Sequence, residues 1–231
     1  MANDKLIRLL ALGKKRKHTR YPGYHGLENY HRGAYECVFV SPYTKTAGNV
    51  QADIFVMLQD WADDRYLAGP FDPCLCERGY DCELPTNLKL SELLNEFFGK
   101  QLPDVFATNL FPFIKIGPIR AVDFIRAAKE FALPQIEIVQ PKLVICLGLA
   151  VFKALSEACG RSAKQCDINT AVNNPFTYGN ARIWCQAHTG WKGQANRKRK
   201  GANQVEDDWR AMKGDFDDHL NSLGCGSKPI A

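Results

Sequence analysis

Three polar side chains stand at or near the ends of apolar runs in this sequence: Asp60 after DIFVML (residues 53–58), Asn109 within VFATNL (105–110) and His188 after ARIWCQ (181–186). A carboxylate can stabilise a cation developing beside it and can orient or deprotonate an attacking water. A neutral imidazole can donate to a developing oxyanion, and a planar amide can pair with the donor and acceptor edge of a heterocycle. Together they suit cleavage of a bond that leaves positive charge on one fragment and negative charge on the other. Singly, each has an ordinary reading: Asp at a strand end as a cap or turn residue, a lone His as a hydrogen-bonded surface residue. Three at successive run ends are harder to assign to local structure.

A second kind of chemistry is electrostatic. The stretch 191–201 (WKGQANRKRKG) follows His188 and joins Trp191 to five cations, Lys192, Arg197, Lys198, Arg199 and Lys200, with no acid among them. Residues 1–40 hold eight Lys or Arg against three acids, while residues 41–191 are nearly neutral. Two basic stretches on a neutral body are what a polyanion-binding surface needs, since each phosphate neutralised by a cation releases a counterion. A solvated surface run is the alternative for either stretch, and GKKRKHTR (13–20) also has the composition of a nuclear localisation signal. The cations are read as phosphate clamps and Trp191 as a wedge between stacked bases, or else as a core anchor under the loop.

These side chains need a scaffold. The chain of 231 residues, 45% hydrophobic and 24% charged, is long enough for a full core and carries no apolar run of membrane-spanning length. The first apolar cluster is short, contains Arg8 and runs into charge, which argues against a secretory signal. An intracellular setting is expected, in the cytoplasm or nucleoid, or in the nucleus of a nucleated cell. Nine cysteines, an odd number, then read as reduced.

Short apolar runs at 53–58, 105–110, 143–147 and 181–186 predict buried parallel strands. Helices are predicted over 3–12, from 86 or 87 to 98, and over 119–133, 149–158 and 205–223, with a long functional loop at 59–85. Strands alternating with helices predict a three-layer α/β/α sandwich around one central four-stranded parallel sheet. No repeat or linker divides the chain, so a single domain over 1–231 is expected, with a basic N-terminal extension at about 1–40. In such a sheet ligands sit beyond the carboxyl ends of the strands, where Asp60, Asn109 and His188 would converge.

On these residues the chain resembles the uracil-DNA glycosylase superfamily. Leu58-Gln59-Asp60-Trp61-Ala62 keeps the Gln-Asp pair of the family's first motif, which in one branch reads Gly-Gln-Asp-Pro-Tyr-His; Ala107-Thr108-Asn109 looks like its Leu-Leu-Asn or Ile-Thr-Asn strand, and Ala187-His188-Thr189-Gly190 occupies the place of its second, His-led motif. PKLVICLGLAVFKAL (141–155) is similar to the iron-sulfur branch. The likeness spans roughly residues 50–200. The chain departs from the pattern at Trp61-Ala62 and at Thr189-Gly190.

The resemblance implies a uracil-DNA glycosylase-like fold and a monofunctional enzyme, needing no cofactor, that flips uracil out of DNA and hydrolyses its N-glycosyl bond to start base excision repair. Asp60 and His188 would be catalytic, and Gln59, Asn109, Trp61 and Phe71 would contact the base. Phe71 is the first choice for stacking, and Phe111 and Phe113 are equally readable as core. The partner would be DNA containing uracil or an abasic site, met by a monomer. Cys74, Cys76 and Cys82, with Cys37 upstream, invite an iron-sulfur or zinc reading, but one residue between Cys74 and Cys76 is too short for usual paired ligands. A catalytically inactive module of the same fold that holds damaged or abasic DNA is the main rival. A nucleotide-binding transferase using Gly148 is a second, although one glycine makes a poor phosphate cradle.

Overall fold

The computed structural model describes residues 2–197 and 204–224. In chain order the strands are β1 (Tyr24–His25), β2 (Ile54–Asp60), β3 (Phe106–Phe111), β4 (Ile114–Lys115), β5 (Leu143–Leu147), β6 (Phe176–Tyr178) and β7 (Ala181–Gln186). The helices are α1 (Ala2–His18), α2 (Asp64–Leu67), α3 (Pro73–Arg78), α4 (Pro85–Phe98), α5 (Ala121–Ala127), α6 (Leu133–Val139), α7 (Leu149–Ala158), α8 (Ile168–Val172), α9 (Trp191–Arg197) and α10 (Gln204–Gly224), joined by short 3-10 turns.

The main sheet has five strands in the order β3-β2-β5-β7-β6. The first four are mutually parallel, and β6 pairs antiparallel with β7. The expected four-stranded parallel sheet is thereby corrected to a mixed five-stranded one. The fifth strand went unpredicted because it is three residues long, follows Asn173-Asn174-Pro175 and turns back through Gly179-Asn180, a hairpin signal shorter than the apolar runs that mark the other strands.

Because successive strand residues face opposite sides, each buried strand feeds two cores. Phe55, Met57, Val144, Cys146 and Ile183 pack under α1, α5, α6 and α7. Ile54, Val56, Leu58, Ile145 and Trp184 pack under Leu90, Leu93 and Leu94 of α4 and Trp209 and Met212 of α10. Fully burying such a side chain contributes about 1.5–3 kcal/mol. A smaller cluster of Leu27, Tyr30, Tyr35, Leu67, Leu75 and Ile114 supports the segment 61–80, where α2 and α3 interrupt the predicted loop.

The N-terminal forty residues are not a free basic extension. α1 packs along α6, and Lys5 donates to the Val139 carbonyl at 2.7 Å. Arg16 is buried, ion-paired with Glu36 at 2.6 Å and donating to the carbonyls of Cys37 and Phe39. α5 and α6 form a longer helix than predicted, joined by a π-helical turn at Ala128–Ala132. Pro134 has no N–H to offer the Glu130 carbonyl four residues earlier, and that carbonyl accepts instead from Lys15 at 3.2 Å. Among the described residues no helix is long and apolar enough to cross a membrane.

Candidate functional site

A cavity of about 530 Å³ opens at the carboxyl ends of β2 and β3, and Asp60, Asn109 and His188 all lie on its wall. Their convergence follows from register. Leu58 stands beside Asn109 and Asp60 beside Phe111 across the parallel pair, while His188 follows β7 by two residues. The last two residues of β2, Gln59 and Asp60, are the only partly exposed ones in that strand, so the strand leaves its core where the cavity begins.

Asp60 is held from both sides. Its Oδ1 accepts from the Gln59 side-chain amide at 2.8 Å, and its Oδ2 is paired with Lys115 Nζ at 2.5 Å. Lys115 reaches it from β4, which the small antiparallel sheet with β1 fixes in place. The result is a carboxylate of fixed orientation.

His188 is fixed as well. The Gly190 N–H donates to its Nδ1 at 3.0 Å, which leaves the proton on Nε2 in the neutral ring. Burial lowers its pKa below the ordinary histidine value; Lys115 adds to that effect and Asp60 opposes it. His188 is therefore a neutral donor at pH 7. Its carbonyl accepts from Gln194 of α9, and a Cβ at Gly193 would lie 2.2 Å from that carbonyl oxygen, so α9 can start this close only with glycine there. Gly148, at the start of α7, has φ of +103°, and a Cβ there would lie 3.6 Å from that of His188.

Asn109 is buried, and its Oδ1 accepts from Ser41 Oγ at 2.5 Å. No described protein group takes its Nδ2, so the amide meets the cavity as a donor. Ser41, like Lys115, went unpredicted: each lies outside the main-sheet strand ends that mark the other site residues and carries no motif of its own.

The aromatic wall differs from expectation. Phe71 is 45% exposed and rests on His31 and Tyr35, with ring centroids 5.4 and 5.5 Å away, and it does not line the cavity. Tyr43, Trp61, Tyr66 and Tyr80 line it instead, with Tyr80 tilted on Tyr43 at 5.3 Å. Trp61 also donates from Nε1 to the Gly79 carbonyl at 2.7 Å, which pins the segment after α3. Phe111 and Phe113 are core residues.

In the basic stretch, residues 191–197 form helix α9. Trp191 is 80% exposed, which removes the core-anchor reading, and Lys192 is exposed beside it. Arg197 is not a phosphate clamp: it is 5% exposed, holds Asp208 of α10 through two bonds of 2.8 and 2.7 Å, and donates to Asn169 Oδ1. Lys198, Arg199 and Lys200 lie outside the described residues.

The loop thiols have protein neighbours of their own. Cys76 donates to the Ala34 carbonyl, Cys82 accepts from Arg78 and Cys37 is buried near Arg16. Among the described residues no three His, Cys, Asp or Glu side chains are grouped to hold a metal ion. No family model and no curated protein sequence matches the chain.

Proposed function

We propose that this protein is a DNA glycosylase of the uracil-DNA glycosylase type, and that its sheet and helices are a variant of that superfamily's fold. The observation that carries the reading is the meeting of a fixed carboxylate, a donor-tautomer imidazole and a donor amide on one cavity of about 530 Å³. A base flipped from DNA enters between Tyr80 and Trp61. Asn109 Nδ2 donates to the carbonyl that a deaminated base carries where cytosine carries an amino group, which favours uracil. As the N-glycosyl bond stretches, the Asp60 carboxylate faces the sugar cation and orients water, and His188 Nε2–H meets the charge growing on the base oxygen. Gln59 holds Asp60 in plane. Trp191 fills the vacated stack and Lys192 meets a phosphate.

A second reading has its own support. Both Asp60 oxygens already have protein partners, which suits a module of this fold that holds abasic or damaged DNA without turnover. Uracil release from a labelled oligonucleotide separates the two. The wild type should release the base, and Asp60→Asn should lose most turnover while keeping the fold and DNA binding. Tight binding to abasic DNA with no release by the wild type would favour the binding module.

A further inference from the structure

Lys115 has more chemistry available than holding a carboxylate. Its Nζ lies 2.5 Å from Asp60 Oδ2, its side chain is partly exposed, and it lines both the site cavity and an adjoining one of about 440 Å³. Among the described residues it is the only primary amine on the wall of either cavity. Any sugar carbon that Asp60 faces therefore lies close to this amine as well.

Loss of a base leaves a deoxyribose whose ring-opened form is an aldehyde at C1′, and an amine condenses with an aldehyde without a cofactor. We propose that the protein is also an abasic-site lyase, with Lys115 as its nucleophile and Asp60 as its proton shuttle. The inference rests on the reading that this cavity takes a DNA sugar.

The steps balance within the site. Asp60 takes a proton from the Lys115 ammonium, and the freed Nζ lone pair attacks C1′. The carbonyl oxygen leaves as water after taking up the proton that Asp60 returns and a second one from nitrogen, so ammonium and aldehyde become iminium and water. Asp60 then removes a proton from C2′, and the electron pair forms the C1′=C2′ bond of an enamine as the iminium nitrogen is neutralised. The enamine nitrogen re-forms the iminium, the C1′=C2′ electrons move to C2′=C3′, and the 3′ phosphate leaves with its bonding pair. Water hydrolyses the iminium, its two hydrogens restoring the Lys115 ammonium as the unsaturated aldehyde is released, and the proton that Asp60 took from C2′ passes to the departed phosphate or to solvent.

The amine in the resting protein is tied to Asp60, which is also its designated proton acceptor. A lysine can serve in this way because its amine becomes a nucleophile once a base has taken its proton, whereas arginine stays protonated.

The test uses the full chain and an oligonucleotide carrying a ready-made abasic site, with sodium borohydride to reduce the imine to a stable secondary amine. The wild type should give a protein–DNA adduct on a denaturing gel and, without borohydride, strand cleavage 3′ to the abasic site. Lys115→Arg keeps a cation beside Asp60 but forms no imine, so it should bind abasic DNA and lose the adduct; Lys115→Ala should lose it too. Absence of adduct from the wild type, or an undiminished adduct with Lys115→Arg, overturns the proposal. Uracil release measured in parallel separates the two claims: release without adduct overturns the lyase alone, and adduct without release supports the lyase and overturns the glycosylase.

Discussion

At the scale of single residues, the site depends on protonation states that neighbours impose. His188 can accept the Gly190 N–H that orients its ring only while neutral, and its lowered pKa keeps it neutral to more acidic pH than an ordinary histidine. Uracil release should then hold as pH falls through the usual histidine range and drop only below it. Burial is the largest cause of the shift, and the Lys115 charge adds to it. Lys115→Met removes that charge, so the acid limb of the rate profile should move to higher pH, besides any fall in the maximum. A profile whose acid limb stays in place would show that His188 does not set it. The same residues mark what sequence can disclose. Asp60, Asn109 and His188 were legible because strand ends have a signature. Lys115, Ser41 and Tyr80 were not, because only the folded chain brings them to the others.

At the scale of elements, β5, α7 and β7 fall where sequence places them, since continuous apolar runs and a glycine stop leave one local solution. The helical stretch 191–197 was hidden by its composition: cations suggested a loop laid on phosphate, but one of them is the bolt between α8, α9 and α10. Arg197 reaches Asp208 and Asn169 from a buried position, and removing one partner of such a pair costs about 3–5 kcal/mol. Arg197→Ala should therefore lower the midpoint of denaturant unfolding substantially. Conversely, Arg197→Ala should leave the salt dependence of DNA binding by the folded protein unchanged, and a reduced slope would return Arg197 to the DNA surface.

At the scale of the whole molecule, acid is concentrated on one helix. α10 carries six acids, Glu206, Asp207, Asp208, Asp215, Asp217 and Asp218, against two bases, Arg210 and Lys213; Asp208 and Asp215 pair with Arg197 and Arg182 from other elements, and Asp207 and Asp217 with Arg210 and Lys213 of the helix itself. DNA is expected to avoid that helix and approach where Trp191 and Lys192 stand exposed. If Lys192 meets one phosphate, Lys192→Ala should reduce the slope of log affinity against log salt by about 0.9 on duplex DNA. The loss should be equal for uracil-containing and normal duplexes, because a phosphate contact carries no base information. Equal slopes for mutant and wild type would place the contact surface elsewhere.

The burial of Arg16 bears on how the cell can address this chain. A receptor that reads a basic peptide as a transport label takes it as an extended strand, with each side chain presented outward. Residues 13–18 of GKKRKHTR lie instead in α1, and Arg16 is turned inward onto Glu36 and two carbonyls. As a free peptide the stretch offers a continuous label; in the finished protein Lys14, Lys15 and His18 stay exposed on a helix while Arg16 is withdrawn, and showing the whole run as a strand requires the end of α1 to unwind.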